Sequence, residues 1–139
     1  MYTNIGIWID HKEAMLVSLE GSTPHLKRIK SDAERHFRVS GGWKSGSITG
    51  GQSIFKEQKA EQRRKHQYRK YYKKIIRHLA KSERILLLGP GEAKQELAKE
   101  ISKLKSIRPE ISAIEPCEKI TDKQLTAKVK SFFELERVR

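Results

Sequence analysis

The chain has 139 residues, of which 36% are hydrophobic and 34% charged, with a formal net charge of +13 and one cysteine, Cys117. This length suits one domain and is too short for two ordinary ones. A single cysteine excludes an internal disulfide, and residues 1–10 lack the basic start and apolar centre of a signal peptide. No apolar run approaches the roughly 20 residues that span a bilayer. We therefore expect one cytoplasmic domain, residues 1–139, with no membrane partner.

The positive charge is concentrated in one segment. Residues 56–77 contain ten Lys or Arg against two acidic residues, Glu57 and Glu61, which is a net charge of +8. An imbalance of this size favours a polyanionic partner, either nucleic acid or an acidic membrane surface. Charge alone does not choose between them.

The first thirty residues predict a three-strand antiparallel meander. Residues 4–10 (NIGIWID) and 14–20 (AMLVSLE) are short β-type runs separated by His-Lys-Glu, a pattern typical of a hairpin. Residues 25–30 (HLKRIK) alternate apolar and basic side chains and add a third strand. Residues 35–39 (RHFRV) are predicted to form either a further short edge strand or an extended arm.

Next comes a glycine-rich loop, predicted over residues 40–53, and a helix predicted over residues 54–80. Five glycines fall between Gly41 and Gly51, whereas nothing from Ile54 to Ala80 interrupts a helix. The helix has two different halves. From Tyr68 to Leu79, apolar residues recur at the spacing of a buried stripe, but residues 56–67 offer only one apolar side chain. We expect the second half to dock on a core and the first half to project by about 22 Å.

The rest of the chain alternates strand and helix. Residues 85–88 predict a buried strand, 93–104 a helix, 111–116 a strand and 121–135 a final helix, with Thr121 as its N-cap. A meander joined to right-handed parallel crossovers gives an α/β fold with three layers, α/β/α. Its five-strand mixed sheet has helices on both faces.

The loop and the basic helix meet at a short motif. Gly50, Gly51, Gln52 and Ser53 are followed by a run of Lys, Arg, Gln and Glu that includes Arg-Lys-His-Gln-Tyr at positions 64–68. The stretch resembles the middle domain of the class-1 peptide-chain release factors of eukaryotes and archaea. In that family Gly-Gly-Gln-Ser opens a long basic helix with a Lys-Arg-His-Asn-Tyr-like run, and the intervals of fourteen and sixteen positions from Gln52 to His66 and Tyr68 match it without a gap. The segment ILLLGPGEAKQEL also looks like the family's next strand and helix.

The resemblance implies a ribonuclease-H-like fold and a role in hydrolysing the ester of peptidyl-tRNA. Ester hydrolysis needs a water at the carbonyl carbon and donors aimed at the charge developing on oxygen. Gly50 and Gly51 would let the backbone adopt positive φ and approach RNA closely. The backbone N–H of Gln52 would stabilise the transition state or the leaving ribose hydroxyl, and its side chain would restrict the nucleophile to water.

The basic helix would then neutralise phosphates of large-subunit ribosomal RNA, contacts that position without reading sequence. In the loop, Trp43 and Lys44 are predicted either to stack on a base or to pack at the foot of the loop. The basic residues predicted to contact RNA are Lys44, Lys56, Lys59, Arg63, Arg64, Lys65, His66, Arg69 and Lys73.

Two features depart from the family pattern. Ile48-Thr49 stands where the family usually has a glycine and a basic residue, and 139 residues leave no room for the family's stop-codon-reading and partner-binding domains. We therefore expect a factor that binds the ribosome and peptidyl-tRNA, acts on stalled or non-standard complexes, and needs no cofactor.

Two alternatives remain. The basic helix could belong to a binding module for structured RNA in which Gly-Gly-Gln has no catalytic role. Asp10, at the end of the first strand, could serve a metal-dependent nuclease, but a hairpin-turn role explains it better because no matching carboxylates are evident on later strands. The segment Gly89–Lys94 lacks the full phosphate-loop pattern and predicts a turn and a helix start. The histidines have no ligand-like spacing, and no metal is predicted.

Overall fold

The computed structural model describes residues 3–31, 50–104 and 109–138, with the backbone alone for residues 50–56 and 136–138. These segments form five strands and three helices. The strands are β1 (Thr3–Ile9), β2 (Glu13–Glu20), β3 (Thr23–Lys30), β4 (Ser82–Gly89) and β5 (Glu110–Pro116). The helices are α1 (Gly50–Arg77), α2 (Ala93–Ser102) and α3 (Asp122–Val138). The strand or arm predicted at 35–39 and most of the predicted loop lie outside the described residues.

The strands form one mixed sheet in the order β3-β2-β1-β4-β5. The pairs β3–β2 and β2–β1 are antiparallel, and β1–β4 and β4–β5 are parallel. This arrangement confirms the predicted α/β fold, in which an antiparallel meander is continued by parallel crossovers. Five consecutive residues of the central strand β1, Ile5 to Ile9, are buried, which requires that both faces of the sheet are covered there.

Each face of the sheet carries its own hydrophobic core. Because side chains alternate along a strand, Ile5, Ile7 and Ile9 point to the face covered by α1 and α2. Trp8 points to the opposite face and packs with Val129 of α3. The two cores account for the continuous apolar run of β4, in which Ile85 to Leu88 are all buried.

A glycine on β1 lets α3 approach the sheet closely. A Cβ atom added at Gly6 would lie 2.2 Å from Cγ2 of Val129, which is far inside van der Waals contact. The Trp8 indole N–H donates to the carbonyl oxygens of Cys117 (3.0 Å) and Glu118 (3.2 Å), tying the segment before α3 to the centre of the sheet. Cys117 is therefore part of the packing between β5 and α3.

Local signals predicted the beginnings of α2 and α3. The Thr121 hydroxyl oxygen accepts a hydrogen bond from the Gln124 backbone N–H (3.1 Å), and the Gln124 side-chain oxygen accepts one from the Thr121 N–H (2.9 Å). This reciprocal pair is a capping box and confirms Thr121 as the N-cap. Residues 90–92 form the predicted turn before α2, where the Lys94 ammonium donates to the Gly91 carbonyl (2.6 Å).

The beginning of α1 differs from the prediction. The helix starts at Gly50, four residues before the predicted Ile54, so residues 50–53 lie in its first turn and not in the loop. Its regular part ends at Arg77, three residues before the predicted Ala80. Residues 78–81 form a turn, in which the backbone N–H groups of His78 and Leu79 donate to the carbonyls of Ile75 and Ile76.

Candidate RNA interface on helix α1

The C-terminal half of α1 is anchored in the sheet core. Tyr71, Ile75 and Leu79 are almost completely buried there, with Tyr72 beside them. Their spacing of three and four residues puts them on one face of the helix, as predicted. This half therefore fixes the direction of the whole helix relative to the sheet.

Two tyrosine hydroxyls add polar anchors to this apolar contact. The Tyr71 hydroxyl donates to the backbone carbonyl of Asp10 (3.0 Å), and the Tyr72 hydroxyl donates to the Glu96 carboxylate. Burial raises the pKa of Tyr71, and burial together with the hydrogen bond to Glu96 raises that of Tyr72. Both phenols therefore stay protonated and keep donating over the physiological pH range.

A small cluster joins three elements at this point. Glu96 of α2 also lies 3.0 Å, Oε1 to Nε2, from His11 in the β1–β2 turn. The His11 ring is tilted against the Tyr68 ring of α1, with centroids 4.8 Å apart. The hairpin turn, α1 and α2 are thus connected through Tyr72, Glu96, His11 and Tyr68.

Asp10 takes part in the hairpin turn. Its side-chain oxygen Oδ1 accepts hydrogen bonds from the backbone N–H groups of Lys12 and Glu13, both at 2.8 Å. This is the turn role that the sequence favoured over a nuclease role. Within residues 3–31, 50–104 and 109–138, no three His, Cys, Asp or Glu side chains come together in a way that could hold a metal ion.

One face of the N-terminal half of α1 is less exposed than we predicted. Ala60 is 6% exposed, and Arg64 and Gln67 are half-buried, although no buried face was expected between residues 56 and 67. The positions 60, 64, 67 and 71 fall on one face, so the inner face of the docked half continues toward the N-terminus. The expectation was wrong because it counted apolar residues alone, whereas Arg and Gln can bury their methylene groups.

The opposite side of α1 is an exposed basic face. At about 100° per residue, its members span a sector of about 140° that lies away from Tyr71. Both acidic residues of the helix, Glu57 and Glu61, fall outside this sector. We call this surface the outward face; its basic members, all exposed, are Lys59, Arg63, His66, Arg69, Lys70, Lys73, Lys74 and Arg77.

The residues predicted to bind RNA do not all lie on the outward face. Five of them belong to it, namely Lys59, Arg63, His66, Arg69 and Lys73. Arg64 is on the inner face, and Lys65 is exposed at the border between the two faces. The backbone of Lys56 lies in α1 but its side chain is not described, and Lys44 lies outside the described residues, as does Trp43.

Three further basic residues on this face were missed. Lys70, Lys74 and Arg77 lie in the docked half, in which only Arg69 and Lys73 were predicted to contact RNA. Lys70 and Lys74 follow Arg63 by seven and eleven residues, and Arg77 follows Lys59 by eighteen. These intervals are close to whole helical turns. The periodicity used to find the apolar stripe would also have found these residues on the opposite side.

Gly50, Gly51 and Gln52 occupy the first turn of α1. The first N–H groups of an α-helix have no acceptor within the helix, and the helix dipole gives this end a partial positive charge. Counted along the axis, eighteen residues separate Gly50 from Tyr68, which is about 27 Å. The motif is therefore at the end of α1 that is distant from the sheet core.

A groove separates α1 from α2. It has a volume of about 530 Å³, with Lys65, Tyr68 and Arg69 on the α1 side and Lys99 and Lys103 on the α2 side. Glu61 also lines the groove, so α1 lies beside α2 for two helical turns before Tyr68, where the docked half was predicted to begin. The part of α1 that precedes Ala60 is about 15 Å long. No sequence signal pointed to this groove, since the residues of its two walls are more than twenty positions apart in the sequence.

Comparisons with known proteins address the fold. No protein-family model matches the chain, and no curated protein matches its sequence. Among solved structures, the Pelota protein of Thermoplasma acidophilum is 15% identical, with 88% of this chain and 30% of that chain covered and a TM-score of 0.49. The archaeal translation termination factor aRF1 is 15% identical, with 98% and 40% covered and a TM-score of 0.51. This chain thus spans less than half the length of either.

The likeness to the archaeal termination factor supports the predicted fold. At 15% identity it carries no information about which residues act, so the candidate site depends on the geometry of α1. In the part of the chain that the structure describes, no helix is both long enough and apolar enough to cross a membrane.

Proposed function

We propose that this protein binds the ribosome and hydrolyses the ester of peptidyl-tRNA in the cytoplasm, on stalled or otherwise non-standard complexes. Gly50, Gly51 and Gln52 would act at the reacting ester, and the basic face of α1 would contact large-subunit RNA. One observation carries the proposal: a Gly-Gly-Gln sequence opens a 28-residue helix that has eight basic side chains on its outward face.

The position of the motif in the helix suggests how it would act. A backbone N–H in the first turn has no intrahelical partner and can donate to an external oxygen. The tetrahedral intermediate of ester hydrolysis carries negative charge on oxygen, which such a donor and the positive end of the helix dipole both stabilise. The N–H of Gln52 belongs to this group of donors. This route differs from the positive-φ loop that we expected from the glycines.

The two glycines contribute by what they lack. Without a Cβ atom at positions 50 and 51, the helix end can approach a crowded RNA surface more closely than other residues would allow. The first turn also contains no acidic side chain that would repel phosphate. We infer that the tip is adapted to enter a space lined by RNA.

The outward face would supply affinity. Basic side chains displace counterions from RNA phosphates, and this sequence-independent term dominates binding at low salt. Phosphate contacts also set orientation, so a rigid helix held by Tyr71 and Ile75 would deliver its N-terminus to one place. The archaeal factor with the similar fold acts in translation termination, in keeping with this role.

Hydrolysis of labelled peptidyl-tRNA on purified stalled ribosomes tests the proposal. We expect Gln52→Ala, which keeps the backbone N–H but removes the side chain that restricts the nucleophile to water, to lower the rate about 10²-fold through misplacement of that water. Gln62→Ala, a change of the same residue type at an exposed position of α1, is the matched control and should leave the rate unchanged.

Gly51→Ala separates close approach from helix formation. Alanine favours a helix by about 1 kcal/mol over glycine, so this variant should keep or strengthen α1. A lost rate with intact ribosome binding would show that the missing Cβ matters. A wild-type protein that binds ribosomes without releasing peptide would refute the hydrolase.

A second candidate is a ribosomal or structured-RNA binding module without catalysis. The extension of the outward face to Lys70, Lys74 and Arg77, away from the motif, favours it, since these residues would serve binding alone. The same assay decides between the two, because the module predicts ribosome binding that weakens with salt and no hydrolysis at any protein concentration.

A further inference from the structure

We propose that the groove between α1 and α2 binds one strand of RNA, with phosphates held between the two helices and a base against Tyr68. The proposal rests on the proposed function in one respect, since that function brings RNA to α1. It adds a second surface, which includes residues of α2 that the basic helix alone does not supply.

The charges of the groove fit a linear polyanion. Lys65 and Arg69 on one side, and Lys99 and Lys103 on the other, are pairs spaced by four residues, so each pair spans about 6 Å along its helix. All four side chains are exposed. A strand running along the groove would therefore have basic side chains on both sides for more than one helical turn.

The carboxylates in the groove do not cancel this charge. Five basic side chains line it against three acidic ones. Glu96 accepts a hydrogen bond from Tyr72 and lies against His11, while Glu100 of α2 is 3.0 Å from Lys103, the residue that caps the end of α2, in a surface pair. Such a surface pair is weak and can rearrange when a phosphate arrives.

Tyr68 supplies an aromatic surface between the two basic walls. It is half-buried, lines the groove and is braced by His11 and by Tyr72, with which its ring is stacked at a centroid distance of 6.5 Å. Its hydroxyl makes no hydrogen bond within the described part of the chain. A basic groove with an aromatic side chain is the usual design of surfaces that bind single strands without sequence preference.

The dimensions favour a single strand over a duplex. A volume of about 530 Å³ falls in the range of roughly 300–1,000 Å³ typical of pockets for small ligands. A groove of this volume has room for one or two nucleotides, and a duplex would rest on its rims without reaching Tyr68. Base contact with Tyr68 thus requires an unpaired strand.

Fluorescence anisotropy with a short labelled oligouridylate tests the groove, using the full chain without ribosomes. The double variant Lys99→Gln/Lys103→Gln should bind about tenfold more weakly, with a salt slope reduced by about 1.4, because each single-strand phosphate contributes about 0.7. The control Lys123→Gln/Lys128→Gln removes the same charge from exposed positions of α3. It should change the affinity less than about threefold, which is half of a tenfold loss on a logarithmic scale.

Substitutions of Tyr68 test the base contact. Tyr68→Leu should weaken binding about tenfold through loss of stacking, whereas Tyr68→Phe keeps the ring and should bind as the wild type does. Thermal unfolding of each variant separates lost binding from lost folding, and a Leu variant that is folded but binds normally would overturn the base contact.

The remaining outcomes also decide the matter. Equal losses in the two lysine double variants, or a duplex bound as tightly as the single strand, would assign binding to general charge or to the outward face and overturn the proposal. Gln52→Ala should bind the oligonucleotide normally. Absence of peptide release would therefore not affect the test of the groove, and absence of oligonucleotide binding would not affect the test of hydrolysis.

Discussion

The two halves of α1 share one continuous helix and differ in what covers them. From Tyr68 to Leu79 the inner face contributes four buried side chains to the sheet core, and two tyrosine hydroxyls add hydrogen bonds. Before Tyr68 the one buried apolar residue described is Ala60, which belongs to neither core. The outward face is basic along both halves. The contacts that stabilise the fold and the proposed contacts with RNA therefore lie on opposite sides of the helix and, in part, at opposite ends.

The largest effect should come from the inner face of the docked half. Ile75 is completely buried, and Ile75→Ala should lower the free energy of unfolding by about 2–5 kcal/mol through lost burial and a residual cavity. Lys73, two residues away on the outward face, is exposed, and Lys73→Ala should change it by less than about 0.5 kcal/mol. Urea denaturation measures both. Similar losses would mean that the two faces do not differ as described.

A smaller effect should come from the polar anchor between α1 and α2. Tyr72→Phe removes the hydroxyl that donates to Glu96 and should cost about 1 kcal/mol, the usual net value of one hydrogen bond. Tyr68→Phe is the control, because no hydrogen bond from its hydroxyl is found among the described residues. If both variants lose the same stability in urea denaturation, the contact with Glu96 contributes nothing to the docking of α1.

The sequence predicted what depends on local pattern. Alternation in β1 to β3, the apolar run Ile85–Leu88 and the spacing from Tyr68 to Leu79 each report which side of an element is buried, and together they gave the mixed sheet and the docked half of α1. Thr121 marked the beginning of α3 because an N-cap is a local structure, and the structure adds Gln124 as the second member of a capping box.

The errors have physical causes. Gly50 and Gly51 are poor helix formers, so a loop was expected, yet the residues after them favour helix and extension of an existing helix is much easier than its nucleation. The burial of Ala60 and Arg64 was not expected because the prediction counted apolar residues alone. The groove could not be predicted, since it exists only where Lys99 and Lys103 of α2 come to lie beside Lys65 and Arg69.

The smallest expected effect concerns pH and the C-terminal end of α1. Slight desolvation, with the nearby charges of Lys27 and Arg77, lowers the pKa of His78 below its ordinary value, although the residue as a whole is exposed. A histidine whose pKa is lower in the folded state is harder to protonate there than in the unfolded chain. At pH values above the pKa of histidine in the unfolded chain, near 6.5, His78 is neutral in both states and does not lower the stability of the fold. Stability is lost as the pH falls from there through the lower pKa of the folded state.

Melting temperatures measured on both sides of this window test the effect. His78→Gln should reduce the fall in melting temperature between about pH 8 and pH 5, a range that brackets the ordinary histidine pKa. Lys27→Met should reduce it less, because Lys27 on β3 is a smaller cause than burial. The shift should be small, since His78 is an exposed residue and its charge is screened by water. If the melting temperature of His78→Gln has the same pH dependence as that of the wild type, His78 is as well solvated as the outward face. The docked surface of α1 would then end before residue 78.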